Sequence, residues 1–338
     1  MKRVAVVILN WNGEKLLRQF LPSVLRNTSP ELGRVIVADN HSTDDSLEVL
    51  KREFPEAEVL ILEENYGFAG GYNRAIAQIE AEIVVLLNSD VEVGEQWLEP
   101  LVALLDREPA TAAVQPKIKS WKEKERFEYA GACGGYIDRY GFPFCRGRIL
   151  DHTETDEGQY DTIREVFWCS GAAFCIRRDV YLQCGGLDEN FFAHMEEIDL
   201  CWRLRNRGYA LKVNPASVVY HLGGGSLPMD HPKKLFLNYR NNWVMMYKNQ
   251  SAGDRWKILF IRRLLDGGAW VMFVLKGRWN HAGSLVSAYR SYRKMKKKYK
   301  SGGGKKGNSC MYKGSIVVAA WVYGKKTFRD LNPKKFLE

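Results

Sequence analysis

The chain has 338 residues, 46% hydrophobic and 12% aromatic, which excludes a mostly disordered protein and allows one or two domains with a real core. Its net charge of +10 is laid out unevenly: residues 1–229 carry 25 Lys and Arg against 35 Asp and Glu, and residues 230–338 carry 25 against 5. An acidic front joined to a strongly basic back implies two jobs, chemistry in the first and contact with an anionic surface in the second.

Val4–Leu9 is an unbroken, largely β-branched apolar run stopped by Asn10-Trp11-Asn12-Gly13, the pattern of a strand buried on both faces. Glu14–Arg26 repeats apolar residues at helical spacing, and Arg34–Ala38 reads as a second buried strand closed by Asp39-Asn40. Ser42 or Thr43 is placed to cap the next helix, with Asp44 and Asp45 in its first turn. A third strand is expected at Val59–Leu62, a helix at Gly70–Ile79, and a fourth strand at Ile83–Leu87 ending on Asn88-Ser89-Asp90. This alternation predicts an α/β unit with a mostly parallel sheet over the first ~110 residues. Such sheets take ligands beyond the carboxyl ends of their strands, where Asn10, Asp39, Asn65 and Asp90 all fall.

Lys117–Gln159 is irregular and rich in Gly, aromatics and Arg, which suits loops or a small antiparallel excursion. Glu165–Arg177 reads as a strand pair turning at Ser170-Gly171. Arg178–Cys184 reads as a helix stopped by Gly185-Gly186, and Phe191–Arg207 as a further helix. Ala210–Tyr220 is a strand leading to His221 and Gly223-Gly224-Gly225. Beyond residue 230 the longest uncharged apolar stretch, Gly267–Leu275, is nine residues, far short of the ~20 that span a bilayer. Arg290–Lys300 holds seven basic residues in eleven, and Ser301–Gly307 reads as a linker. The linker is not a phosphate loop, because Asn308 stands where Lys is required. Ser315–Tyr323 is apolar and carries no assignment.

Asp90, just past a buried strand and flanked by Asn88 and Glu92, is placed to hold Mg²⁺ or Mn²⁺, whose shell substrate phosphate oxygens would complete. His221, past a later strand, is a second candidate ligand, against the blander reading of a structural histidine. In Met195-Glu196-Glu197-Ile198-Asp199-Leu200, Glu196 and Asp199 share a helix face and Glu197 projects about 100° away. Crowded carboxylates raise one another's pKa and leave one as a base near neutral pH. The alternative is simple charge complementarity at a helix N-terminus, with Arg203 as partner.

The ordered blocks VAVVILNWNG, VADNHSTDDS, NYGFAGGYNRA, LLNSDVEV, SGAAFCIRRD and FFAHMEEIDLCWRLRNRGY, followed by Arg240-Asn241-Asn242, resemble glycosyltransferase family 2. More closely they resemble its bacterial rhamnosyltransferase-like branch, which acts on surface polysaccharide precursors. The resemblance implies a GT-A fold: a nucleotide-sugar-binding α/β sheet, mostly parallel, with an acceptor half and here a basic, mostly helical C-terminal extension. It implies that Asp39 contacts the nucleotide, and that Asn65, Gly67, Gly70, Gly71 and Asn73 line the donor pocket with Asn10, Asn12 and Asn88. Asn88-Ser89-Asp90 stands where the family has its DxD metal motif, leaving Asp90 as the main carboxylate, and His221 matches a downstream His that meets metal or diphosphate. Glu196-Glu197 stands at the ED motif, so Glu197 occupies the position of the catalytic base, with Asp199 as rival. The implied reaction is inverting transfer from a nucleotide sugar, with dTDP-rhamnose the leading suggestion, to a glycan or lipid-linked acceptor. The substituted DxD and ED positions keep open a degenerate module that binds nucleotide or carbohydrate without chemistry.

The expected organisation is a catalytic domain over 1–229 (donor half to about 115, acceptor half from 116), a helical membrane-associating region over 230–300, and a linker and tail over 301–338. Basic residues near an anionic bilayer contribute ~1 kcal/mol each, and Trp256, Phe260, Trp270, Phe273 and Trp279 supply interfacial aromatics beside them. No nucleic-acid-binding motif accompanies the basic run, so nucleic acid is not an expected partner. Seven cysteines, an odd number without CxxC spacing and without an h-region before them, read as reduced thiols. The expected location is cytoplasmic, peripheral at the inner face of the cell membrane.

Overall fold

In the computed structural model, described for residues 3–223, 231–251, 253, 255–300 and 309–336, strand and helix alternate through the first hundred residues as expected. β1 (Val4–Asn10), α1 (Glu14–Asn27), β2 (Gly33–Asp39), α2 (Ser46–Glu53), β3 (Glu58–Ile61), α3 (Gly67–Gln78), β4 (Ile83–Asn88), β5 (Val91–Val93) and α4 (Glu99–Arg107) follow in order. β6 (Thr111–Ser120) leads into the short strands β7 (Gly135–Asp138), β8 (Pro143–Cys145), β9 (Arg148–Ile149) and β10 (His152–Thr153). β11 (Arg164–Glu165), β12 (Ala173–Arg177), α5 (Arg178–Gln183), α6 (Glu196–Asn206) and β13 (Ala210–His221) complete the main body. Helices α7 (Pro232–Asn249), α8 (Arg255–Leu275) and α9 (Trp279–Met295) precede β14 (Met311–Tyr312) and α10 (Ile316–Trp321).

The central sheet runs β11-β13-β6-β12-β4-β1-β2-β3, with β5 paired to β13. β1, β2, β3, β4, β6 and β13 share one direction, while β5, β11 and β12 oppose it. Because side chains alternate across a strand, Val4, Val6 and Ile8 pack into one core with α1, α2 and α4, and Ala5 and Val7 into the other with α3 and α6.

Three expectations are corrected. Glu165–Arg177 is not a hairpin: β11 pairs β13, whereas β12 inserts between β4 and β6. Ser42 and Thr43 do not cap α2, which starts after Asp45; their polar groups bond Asn12 instead. The helix expected over Phe191–Arg207 begins only at Glu196, because Phe192, His194 and Met195 have left-handed φ of 67°, 69° and 73°.

The C-terminal segment is no loose tail. β14 adds to β7 at the edge of the small sheet, and Phe328 and Phe336 pack on Tyr136 and Phe144. The apolar run left unassigned in the sequence forms α10, whose Ile316 N–H donates to buried Asp138 at 2.8 Å. Gly224, Gly225 and the 301–307 linker lie outside the described residues. Among the described residues no helix is long and apolar enough to cross a membrane, and all seven cysteines are free thiols.

Candidate active site

The tips of β1 and β2 are tied together by side chains. Asn10 Nδ2 donates to Asp39 Oδ1 at 3.1 Å and to Ser42 Oγ at 3.2 Å, and the Ser42 N–H donates to Asp39 Oδ2 at 2.9 Å. Asp39 is fully buried with both oxygens engaged, so it braces the tip and offers no surface to a ligand. Asn12 is exposed on that tip and accepts from the Thr43 N–H at 2.7 Å. Beside it the large aromatic Trp11 is 56% exposed. Gly13 is required here, since a Cβ would stand 2.3 Å from Asn10 Oδ1.

Asn40, not singled out in the sequence, clasps the neighbouring segment. Its Nδ2 donates to Asn65 Oδ1 at 3.0 Å and to the Gly67 carbonyl at 3.1 Å, and its Oδ1 accepts from the Tyr66 N–H at 3.0 Å. Gly67 makes the turn into α3 with φ 69°. Gly70 and Gly71 are buried packing positions: a Cβ on Gly71 would meet Leu9 Cδ1 at 2.7 Å, so α3 lies on β1 only because that side chain is absent. Asn73 faces elsewhere, bonding the Leu187 backbone at 2.8 and 2.9 Å and the Tyr181 hydroxyl at 2.6 Å. It anchors α3 to the 181–187 turn, and its amide has nothing left for a donor.

At the next tip, pairing of β5 with β13 sets His221 opposite Val91 and brings the imidazole to Asp90. His221 Nε2 lies 3.1 Å from Asp90 Oδ1 and 3.4 Å from Asn88 Nδ2, while Nδ1 faces Glu128 Oε2 at 3.4 Å. Burial works against the protonated ring, but Glu128 and Asp90 outweigh it and push His221 up to about 10. Burial alone would raise Asp90; the bond and charge of His221 hold it below the usual carboxylate range. Glu92 does not join them, because it accepts from Trp121 Nε1 at 2.8 Å and pairs with Lys124 at 2.6 Å. The 3.1 Å between Nε2 and Oδ1 is the length of a hydrogen bond between the ring N–H and the carboxylate. Among the described residues no three His, Cys, Asp or Glu side chains converge on a metal position. As they stand Asp90 and His221 form a buried ion pair at the end of β13, and the two side chains could hold a divalent cation only once the imidazole gives up its proton.

The acidic cluster opens α6. Asp199 is fully buried and saturated: Arg203 Nε at 2.8 Å and Lys248 Nζ at 2.8 Å approach Oδ2, and Asn249 Nδ2 donates to Oδ1 at 2.8 Å. Arg203 is thus a partner of Asp199, as charge spacing predicted. Burial, with Glu197 and Asp199 adding to it, holds the Glu196 carboxyl far above its ordinary range. Burial also lifts Glu197, to about 6, against N–H groups at the helix start that favour its charged form. Glu197 Oε2 has no hydrogen-bond partner among the described residues.

The left-handed loop that aims this cluster is held from α7. Asn241, fully buried, donates Nδ2 to the carbonyls of Phe191, Ala193 and His194 at 2.8–2.9 Å, and Arg240 adds a bond to Phe191 O at 2.8 Å. Strained backbone persists only where its surroundings over-determine it, and this clamp does so. The block Arg240-Asn241-Asn242 was visible in the sequence, but nothing local said what it grips.

The Ser170–Ala172 turn touches both the β4 tip and Glu197. The Asn88 N–H donates to the Ala172 carbonyl at 3.0 Å, and a Cβ on neighbouring Gly171 would stand 3.7 Å from both Glu197 Cβ and Phe68 Cζ. Trp168 and Cys169, just before that turn, are core residues: the Trp168 indole donates to Tyr136 O at 2.8 Å, and Cys169 has no exposure.

With this geometry in place, comparison with known proteins is specific. Residues 5–181, just over half the chain, match the model of glycosyl transferase family 2. An N-acetylglucosaminyl-diphospho-decaprenol L-rhamnosyltransferase of Mycobacterium tuberculosis is 26% identical over 265 residues, covering 73% of this chain and 85% of that protein. Among solved structures, S. aureus TarS 1-349 in complex with UDP-GlcNAc superposes with a TM-score of 0.57 at 15% identity, over 87% of this chain and 82% of that one. The mannosyltransferase PcManGT of Pyrobaculum calidifontis, in complex with GDP-Man and Mn2+, gives 0.54 at 15% identity over 87% and 83%. At such identities the two structures speak for the fold alone.

Proposed function

The chain belongs to glycosyl transferase family 2, in its rhamnosyltransferase-like branch, and from that premise we propose an inverting transfer from dTDP-rhamnose to a lipid-linked glycan acceptor of cell-surface polysaccharide. It is a glycosyltransferase drawing on a nucleotide-sugar donor. The observation that supports the mechanistic reading is the unpartnered oxygen of Glu197, its pKa lifted to about 6, beside the Gly171 turn whose Ala172 carbonyl accepts from the Asn88 N–H at the β4 tip. Glu197 takes the proton of the acceptor hydroxyl as that oxygen bonds the anomeric carbon from the face opposite the leaving group. The bond from that carbon to the nucleoside diphosphate breaks in the same displacement, inverting the configuration. Asp90 and His221 would hold Mg²⁺ or Mn²⁺, which when bound neutralises charge on the departing diphosphate.

In the donor half, residues 1–115, exposed Asn12, Trp11 and Asn65 are placed to meet the nucleotide; Asn10, Asp39, Gly67, Gly70 and Gly71 shape the tip. The acceptor half, 116–229, supplies Glu197, and the basic segment 230–300 attaches the protein to anionic lipid at the cytoplasmic face, where a lipid-linked acceptor is met. Asp199 serves instead as a buried anchor, its three partners and lack of exposure keeping it from an acceptor hydroxyl.

A ligand that binds only the folded state raises the melting temperature in proportion to its affinity. In a thermal-shift panel of dTDP, UDP and GDP sugars with and without Mn²⁺, dTDP-rhamnose with Mn²⁺ is expected to give the largest rise. A larger rise with a UDP- or GDP-sugar replaces the donor assignment. Asn241→Ala should lower kcat by about 10²-fold, the size of effect that a small misplacement of a reacting group produces, while the shift caused by donor stays as in the wild type. Equal loss of donor binding would make Asn241 a general fold residue.

A further inference from the structure

Helix α8 is built inside out. Its ionic residues Arg262 and Asp266 are buried, paired at 2.9 Å, with Arg262 also donating to Tyr140 O and Asn242 Oδ1 at 2.7 Å and Asp266 accepting from Trp243 Nε1 at 2.9 Å. Ile258 and Leu259 are buried beside them, but a second row of large apolar residues faces outward. Trp256, Phe260, Leu264, Val271 and Leu275 recur at spacings of four and seven, with Trp256 67%, Leu264 62% and Leu275 82% exposed. At 1.5 Å per residue this ridge is about 29 Å long. Trp279, 67% exposed at the start of α9, extends it. Only Lys257 and Arg263 put charge on that face, and an exposed apolar strip of this length marks an interaction surface.

The charge around the ridge selects its occupant. Residues 255–300 hold thirteen Lys and Arg against one acid, Asp266, which Arg262 already neutralises. A second copy of the chain would bring the same positive belt and be repelled, whereas an anionic bilayer meets both the belt and the ridge. We propose that the outward face of α8, with Trp279, inserts into the interfacial layer of an anionic membrane and lies in its plane, the basic residues of α9 resting among the headgroups. This rests on the surface-attachment reading above and deepens it, from attraction to charge to burial of a defined apolar face.

The test uses the full chain and vesicles of phosphatidylcholine with 25 mol% phosphatidylglycerol, with pure phosphatidylcholine as the comparison. The wild type is expected to float with the anionic vesicles, to stay partly bound in 0.5 M NaCl, and to have its tryptophan emission quenched by brominated acyl chains. The triple variant Phe260→Ser, Leu264→Ser, Leu275→Ser, confined to exposed side chains, should lose at least tenfold in partitioning and all salt-resistant binding, with sugar-nucleotide hydrolysis unchanged. Wild-type partitioning by that variant overturns insertion while leaving attachment by charge standing; failure of the wild type to float removes attachment as well. A wild-type dimer in light scattering that the triple variant converts to monomer would make the ridge a self-association face and overturn the proposal.

Discussion

Glu197→Gln is expected to reduce sugar transfer by about 10²–10⁴-fold, the usual worth of a positioned general base, while the donor-induced rise in melting temperature stays at its wild-type size. The amide keeps the volume and the helix position but cannot accept the hydroxyl proton. The pH profile carries independent information. Glu197 is lifted to about 6, so its basic form is lost as pH falls through that value. Wild-type kcat should therefore rise with pH up to about 6 and level off above it, and the residual activity of the Gln variant should lack that limb. Asp199→Asn is the necessary companion. Its carboxylate neutralises Arg203 and Lys248 in the interior, and removing one partner of a buried ionic group costs about 3–5 kcal/mol. That variant should unfold at lower urea concentration, whereas Glu197→Gln should not. Near-normal turnover in Glu197→Gln, together with a stable but inactive Asp199→Asn, would move the base to Asp199.

What was readable in the sequence, and what was not, divides along the range of the interactions. The buried runs Val4–Leu9, Arg34–Ala38 and Ile83–Leu87 announce strands through composition alone, and polar residues at their ends follow. That pattern alone puts Asn10, Asp39 and Asp90 at the carboxyl-end edge of the sheet. Side-chain direction was not readable. Asn73 lies in the block that suggested donor contact, yet its rotation on α3 sends the amide to Leu187, over a hundred residues away. Asp39 sits at the expected tip, but Asn10 and the Ser42 N–H consume its oxygens. Glu128, in the irregular 117–159 stretch, carries no local signal; it reaches His221 because β6 pairs with β13 and sets Ser120 opposite His221. The break at Phe192–Met195 is likewise hidden, since ordinary helix-compatible residues are held in left-handed φ by Asn241 from a different helix.

Asp90→Ala is the second change expected to be severe, and its consequences separate from those of Glu197. It removes one of two side chains able to hold the cation and leaves His221 facing only Glu128 and the Asn88 amide. Mn²⁺ should then no longer add to the thermal shift given by a nucleoside diphosphate, and transfer should fall by about 10³-fold, since stabilising charge on the leaving group is usually the largest single contribution to such a rate. Glu197→Gln, by contrast, should keep the full Mn²⁺ dependence of that shift. Glu128→Gln supplies the graded case. Glu128 touches no substrate position, but its oxygen faces Nδ1 and fixes which ring nitrogen is presented to Asp90. Outer partners of metal-bound histidines typically contribute 10–100-fold to metal affinity, so the Mn²⁺ concentration for half-maximal shift should rise by about that factor, with transfer restored at saturating Mn²⁺. Asp90→Ala should not be rescued in this way. If Asp90→Ala kept the Mn²⁺-dependent shift and Glu128→Gln left the half-maximal concentration unchanged, the cation would have to be held elsewhere, and the 3.1 Å contact between Asp90 and His221 would be only a buried ion pair closing the end of β13.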